Sequence, residues 1–174
     1  MAITVAPAQS DVQTALRAFL AGILPGIDIV EGQDNRVPEP SAPDFVVMTA
    51  IRRRRIETNV DTCPTNSTES VLQPTEVVFQ LDVHGPESAD NAQIITTLFR
   101  DSYATTAFAA SGFDVAPLYA DDPRQVPFIN AEQQFETRWI VEAFLQANQV
   151  VTVPQDSANI VSVTPVSVDA TYPP

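Results

Sequence analysis

The stretch Glu76-Val77-Val78-Phe79-Gln80-Leu81-Asp82-Val83-His84 decides the fold. Val77, Phe79, Leu81 and Val83 alternate with Val78, Gln80, Asp82 and His84. Successive side chains of a strand point to opposite faces, so this alternation predicts a half-buried β-strand. Gly85-Pro86 then breaks the strand and opens a helix with proline in its first turn. Ala92, Ile95, Leu98 and Phe99 line one side of that helix, and a shorter helical piece runs through Tyr103, Ala107 and Phe108 to a stop at Gly112.

Toward the N-terminus, residues 45–56 read as a second strand that ends in four consecutive arginines. Between the two strands, residues 59–74 form a polar connection, a loop or a hairpin, that holds the lone Cys63. Residues 32–43 are polar and punctuated by proline, which predicts an extended or turning loop. Ahead of it, Val12, Leu16, Phe19, Leu20 and Ile23 recur at helical spacing. Ser10 with Gln13 three residues later reads as a capping box, and Pro25-Gly26 ends the helix.

Toward the C-terminus, residues 113–119 read as a short strand and residues 120–130 as a turn-rich connection. Residues 134–146 follow period two better than a helical period. Phe135, Thr137, Trp139, Val141, Ala143 and Leu145 fall on one face, and Arg138, Ile140, Glu142 and Phe144 on the other. Such a strand would extend roughly 43 Å, long for a small domain, so a bend or bulge is expected. Residues 149–174 carry only two charges, Asp156 and Asp169, among Val, Thr, Ser and Pro. They read as a strand and an extended C-terminal arm. A terminus of this kind reads as a frayed end or as a docked arm; Ile160-Val161-Ser162-Val163 and Val166-Ser167-Val168 are strand-competent, which favours docking.

The order helix, strand, strand, helix, strand, strand defines an α+β class: a mostly antiparallel sheet with helices packed on it. Residues 1–148 form one domain and residues 149–174 the added strand and arm. Leu16, Phe19, Leu20, Val77, Phe79, Leu81, Ile95, Leu98, Phe99, Val141 and Leu145 are the expected core.

The chain has 174 residues, 44% apolar and 18% charged, enough to bury one core and too apolar for global disorder. Its net charge is -13, and all nine basic residues are arginine. A free-standing nucleic-acid binder would carry a basic excess. One cysteine excludes a disulfide framework within the chain, and one histidine with it makes a tetrahedral zinc site implausible. No Walker A loop, dinucleotide fingerprint, nucleophile elbow or HExxH helix occurs. His84 reads as an ordinary strand-end residue rather than a general base. Nothing beside Cys63 would activate its thiol. Asp121-Asp122 supplies too few carboxylates for a hard cation. The sequence therefore carries no catalytic, cofactor or metal site, and the expectation is a non-enzyme without cofactors. No signal peptide and no run of about 20 apolar residues is present, so no membrane partner is expected. The sequon at Asn66 is then without consequence, and Cys63 stays reduced in a cytoplasm.

The arginine run is the most unusual feature. On a strand, Arg52 and Arg54 face one way and Arg53 and Arg55 the other. Arginine forks suit carboxylates of a partner subunit and also phosphates, while a charge run is otherwise a solvated face. Copies of a chain at -13 repel one another, so these four arginines are candidates for pairing with a neighbour's Asp or Glu, Asp121 and Asp122 among them. Trp139 beside Arg138 reads either as a core tryptophan or as an interface anchor.

Four motifs lie in order along the chain: residues 33–40 (Gln33-Asp34-Asn35-Arg36-Val37-Pro38-Glu39-Pro40); Gln80-Leu81-Asp82-Val83-His84-Gly85 with Ala89 and Ala92; Pro117-Leu118-Tyr119-Ala120-Asp121-Asp122-Pro123-Arg124; and Glu132-Gln133-Gln134-Phe135-Glu136-Thr137-Arg138-Trp139. In these the chain resembles the neck-located tail terminator proteins of tailed bacteriophages and related contractile particles. The resemblance implies a small α+β subunit of the virion tail or neck, made in the bacterial host's cytoplasm. It implies a ring, usually of six, at the head-proximal end of the tail tube. Its partners would be further copies of itself, the tail tube protein, a sheath protein and the head-side connector. DNA would pass through the ring without specific binding, and an acidic wall fits sliding rather than gripping. Arg124, Arg138 and Trp139, which fall in the motifs, join the four arginines and the Asp pair as intersubunit candidates. A head–tail connector or another neck or baseplate ring shares this physics. A small-molecule enzyme or binding module would instead need a concave pocket with convergent polar groups, for which the sequence offers no clustered candidates.

Overall fold

A computed structural model of the chain describes residues 2–33, 40, 42–65, 67–129, 133, 135–156 and 162–163. In chain order the elements are β1 (Thr4–Ala6), α1 (Gln9–Ile23), β2 (Asp28–Glu31), β3 (Phe45–Arg55), β4 (Val60–Thr65), β5 (Thr68–His84), α2 (Ser88–Phe99), α3 (Ser102–Ala110), β6 (Val115–Ala120), β7 (Arg124–Gln125), β8 (Phe128–Ile129), β9 (Phe135–Glu136) and β10 (Arg138–Pro154). The class is α+β, with three helices against a mostly antiparallel sheet.

The strands β5 and β10 form the axis of the sheet. Each has 17 residues, and they pair antiparallel at every position from Arg138↔His84 to Pro154↔Thr68. That ladder is roughly 58 Å long. Its inner half, residues 75–84 with 138–147, is flanked by β3 on one side and by β6 and β7 on the other. Its outer half, residues 68–73 with 149–154, is flanked by β4 and β1. The strand β2 adds to β3 in parallel. The register shifts fall at the flanks: between Ala50 and Arg52 of β3, where β6 meets Phe144 and Leu145, and between Thr62 and Thr65 of β4.

The helices cover one face of the inner half. Val77, Phe79, Leu81 and Val83 of β5 and Val141, Ala143, Leu145 and Ala147 of β10 are buried beneath them. One phenylalanine from each helix closes the layer: Phe19, Phe99 and Phe108 lie with ring centroids 5.5, 5.7 and 6.0 Å apart. All eleven expected core residues are in this cluster or packed on it, with Leu98 only partly buried. The helix-free face is not fully wet either. Val78, Asp82, His84, Ile140 and Phe144 point to it and are buried, which requires the sheet to curl over that face.

Gly85 makes the turn from β5 to α2. Its φ is +102°, and a Cβ there would collide with Asp44 Oδ1 and the Pro43 carbonyl. The same Asp44 carboxylate accepts the Glu87 N–H at 2.9 Å, fixing the helix entry to the start of β3.

Several expectations need correction. The first helix is not capped by Ser10: it begins at Gln9, and the Asp11 carboxylate accepts the Ala8 N–H at 2.7 Å. Helix α2 begins at Ser88, two residues beyond Pro86. The expected order omitted β1 and β2, short strands whose pairing is supplied by distant partners. Residues 60–65 and 68–73 form the hairpin that was one of the two expected connections, and it extends the central ladder, which was not expected. The strand expected to end at Gln146 runs on to Pro154. Of the expected C-terminal arm, residues 157–161 and 164–174 lie outside the described residues, as do residues 34–39 of the first motif and Glu132 and Gln134 of the last.

Candidate functional site

Alternation along β5 and β10 sends odd-numbered residues of the inner half to the helices and even-numbered ones to the open face. The open face thereby gathers Glu76 and Asp82 of β5, Glu142 and Arg138 of β10, and Arg52 and Arg54 of β3. Carboxylates lie low in this face and guanidinium groups lie over them. Glu76, whose side chain is 5% exposed, accepts from Arg54 Nη2 at 3.0 Å and Arg52 Nη2 at 3.4 Å, whose side chains are 64% and 54% exposed. Asp82 accepts from Arg138 Nε at 3.0 Å and Nη2 at 2.6 Å, and both its oxygens accept from the Gln80 amide at 3.0 Å. Glu142 accepts from Arg124 Nη2 at 3.0 Å.

The physical reason for this layering is one-sided. A buried carboxylate is costly unless it is paired and hydrogen-bonded. An arginine on a long stem reaches over it and keeps part of its five-donor fork in solvent. What the face presents outward is therefore guanidinium. Arg52 also lies 6.0 Å from the Phe144 ring centroid, and Phe144 stacks on Tyr119 at 4.2 Å.

Arg53 turns the other way, as the strand alternation predicts. It donates to Gln149 Oε1 at 3.2 Å and to Gln9 of α1. Arg55 makes no ion pair among the described residues.

On the helix side, a cleft of about 390 Å3 runs between α2 and the start of β10. Gln93, Thr96 and Thr97 of α2 and Arg100 just after it line one side, with Asp122, Pro123 and Trp139 opposite. Asp122, its side chain 94% exposed, lies 3.5 Å from Arg100 Nη2. Arg100 Nε donates to the Ala120 carbonyl at 2.8 Å, which holds the guanidinium beside this carboxylate. Trp139 is partly buried against the core and lines the cleft, so both of its sequence readings describe part of its surface. Asp121 is exposed, and its N–H donates to the Glu142 carbonyl at 2.9 Å.

The sequence-derived candidates thus divide between two sides of one sheet. Arg52, Arg54, Arg124 and Arg138 come together on the open face, and Asp122 and Trp139 on the helix side. Within the chain the arginines meet Glu76, Asp82 and Glu142. Sequence reading missed those three, because only the strand register brings them under a guanidinium. It also misplaced Phe135. Thr137 interrupts the expected strand, so Phe135 pairs with Ile129 in the β8–β9 hairpin and both are exposed, Phe135 to 83%. His84 is buried and stacked on Phe45 at 4.5 Å, and Cys63 is exposed on β4. Among the described residues no group of three or more His, Cys, Asp or Glu could hold a metal ion, and no helix is long and apolar enough to cross a membrane.

A family model described as phage neck terminator protein matches residues 10–169. No curated protein matches the chain. Among solved structures, the chain is similar to one described as the cryo-EM structure of an extracellular contractile injection system, PVC sheath/tube terminator in extended state. The identity is 16% and the TM-score 0.42, over 95% of this chain and 64% of that one. The chain therefore spans 64% of the length of that solved chain.

Proposed function

The chain belongs to the phage neck terminator family, and on that premise we propose that it closes the tail tube as a ring of copies and joins the tube to the head-side connector. It is a structural protein of the virion tail and neck. The observation that carries the proposal is the extent of the family match, which takes in every helix but for the first residue of α1, the whole central ladder and both charged sides of the sheet.

In this reading the ring has six copies. One rim seats on the tail tube, with a sheath protein alongside where the tail contracts, and the other rim meets the connector. DNA crosses the ring without being held. The net charge of -13 supports that passage, since a negative wall repels phosphates and leaves DNA free to slide. The work is done by assembly and not by bond-making chemistry. Arg52, Arg53, Arg54, Arg55, Arg124, Arg138, Asp121, Asp122 and Trp139 supply the contacts between copies.

A phage lacking this protein tests the reading. Electron microscopy is expected to show heads separate from tails and tubes of uncontrolled length, both restored when the protein is supplied from a plasmid. Joined virions with tails of normal length would overturn it.

A further inference from the structure

We propose that copies of this chain associate head to tail, the guanidinium layer on one copy's open sheet face seating against the α2 cleft of the next copy. The inference rests on the ring reading above and deepens it by naming the two surfaces that meet.

The two surfaces are complementary and cannot meet within one chain. Strand alternation places Arg52, Arg54 and Arg124 on the face away from the helices and Trp139 on the face toward them, and Asp122, between β6 and β7, lines the α2 cleft with Trp139. The sheet itself stands between. The arginines are already neutralised from below by Glu76 and Glu142, yet their outer edges are more than half exposed and retain unused donors. The cleft offers what such an edge binds. Asp122 is almost fully exposed and, among the described residues, pairs only with Arg100, at 3.5 Å. Asp90 is exposed at the start of α2, three and seven residues before the cleft residues Gln93 and Thr97, hence on the same helix stripe. Trp139 gives the cleft a flat aromatic wall, the surface on which a guanidinium stacks best.

The same placement decides the symmetry. A two-fold contact pairs residue i with j and j with i within one patch; with the arginines and Asp122 on opposite sides of the sheet, one such patch holds only one of the two groups and sets it against its own copy. A head-to-tail contact sets each against its opposite, and a repeated head-to-tail contact closes into a ring when the rotation allows. Charge on one chain is thus arranged to disfavour a two-fold dimer and to favour a ring with a direction.

Charge-swapped variants test this. One variant carries R52E, R54E and E76Q, the last so that no buried carboxylate is left unpaired. The other carries D90R and D122R. Each alone sets like charges together at every contact and is expected to need at least about tenfold more protein to assemble. Mixed in equal amounts, the two are complementary at both kinds of contact and are expected to form rings at wild-type concentration. Native mass spectrometry should then find equal numbers of the two chains in each ring. Circular dichroism and thermal melts confirm folding of each variant, and R124E with E142Q replaces the first should it fail to fold. Wild-type rings with either variant assembling normally, or with a folded mixture that stays apart, would overturn the pairing while leaving the ring reading standing. A wild-type chain that stays monomeric, or forms only two-fold dimers, would remove the ring reading and the pairing with it.

Discussion

The inner and outer halves of the β5–β10 ladder share one register and differ in what backs them. In the inner half, Val77, Phe79, Leu81, Val141 and Leu145 are fully buried under α1, α2 and α3. In the outer half, Val71, Leu72, Val150, Val151 and Val153 are only half-buried, and the flanking Val5 and Val60 are exposed. The pairing register runs on without a shift through all 17 pairs. Strand pairing and core burial are therefore separate properties of this molecule: the ladder is set by register, and stability is concentrated where the helices sit.

That contrast can be broken at several points. The largest effect is expected for Phe99→Ala, which removes one ring of the Phe19–Phe99–Phe108 triad. It should cost about 3–5 kcal/mol in denaturant melts. A loss under about 1 kcal/mol would show that the helices do not anchor the inner half. Next comes Asp82→Ala, which leaves Arg138, with a side chain 22% exposed, without its two charge-assisted hydrogen bonds. A cost of about 1.5–3 kcal/mol is expected. Equal stability of the variant and the wild type would mean that solvent replaces the pair. Smallest is Val151→Thr in the outer half, expected within about 0.5 kcal/mol of wild type. A larger loss would reveal that the outer ribbon contributes to the core. Hydrogen exchange sharpens the same comparison in a single experiment. In the monomer, amides of residues 68–73 and 149–154 should exchange faster than those of residues 76–84 and 139–147. Uniform protection along the ladder would contradict the division.

The inner half was legible in the sequence and the outer half was not, for a physical reason. Around Leu81 and Val141, apolar residues alternate with polar ones, because one face is dry and the other carries charge. Residues 69–74 alternate poorly, since both faces are half-buried alike, and Pro74 lies among them. Proline lacks an N–H and argues against a central strand. Here it lies just past the end of β3, whose last pair is Arg55 with Thr75, and its carbonyl accepts the Ile56 N–H at 3.0 Å. The strands β1 and β2, of three and four residues, are too short to show a period of their own. At the candidate site, the sidedness of Arg52 and Arg54 against Arg53 followed from alternation alone. Their partner Glu76 did not, because a register between β3 and β5 cannot be read from either strand by itself. Asp122 and Trp139 are 17 residues apart and meet only through the fold of β7 onto β10.

The central claim is that this chain works by assembling with copies of itself, and native mass spectrometry of the purified protein addresses it most directly. The account expects a closed ring, of six copies, that falls apart as salt screens the contacts between charged faces. A chain that stays monomeric at every concentration, above all one that carries a bound metabolite, would contradict it.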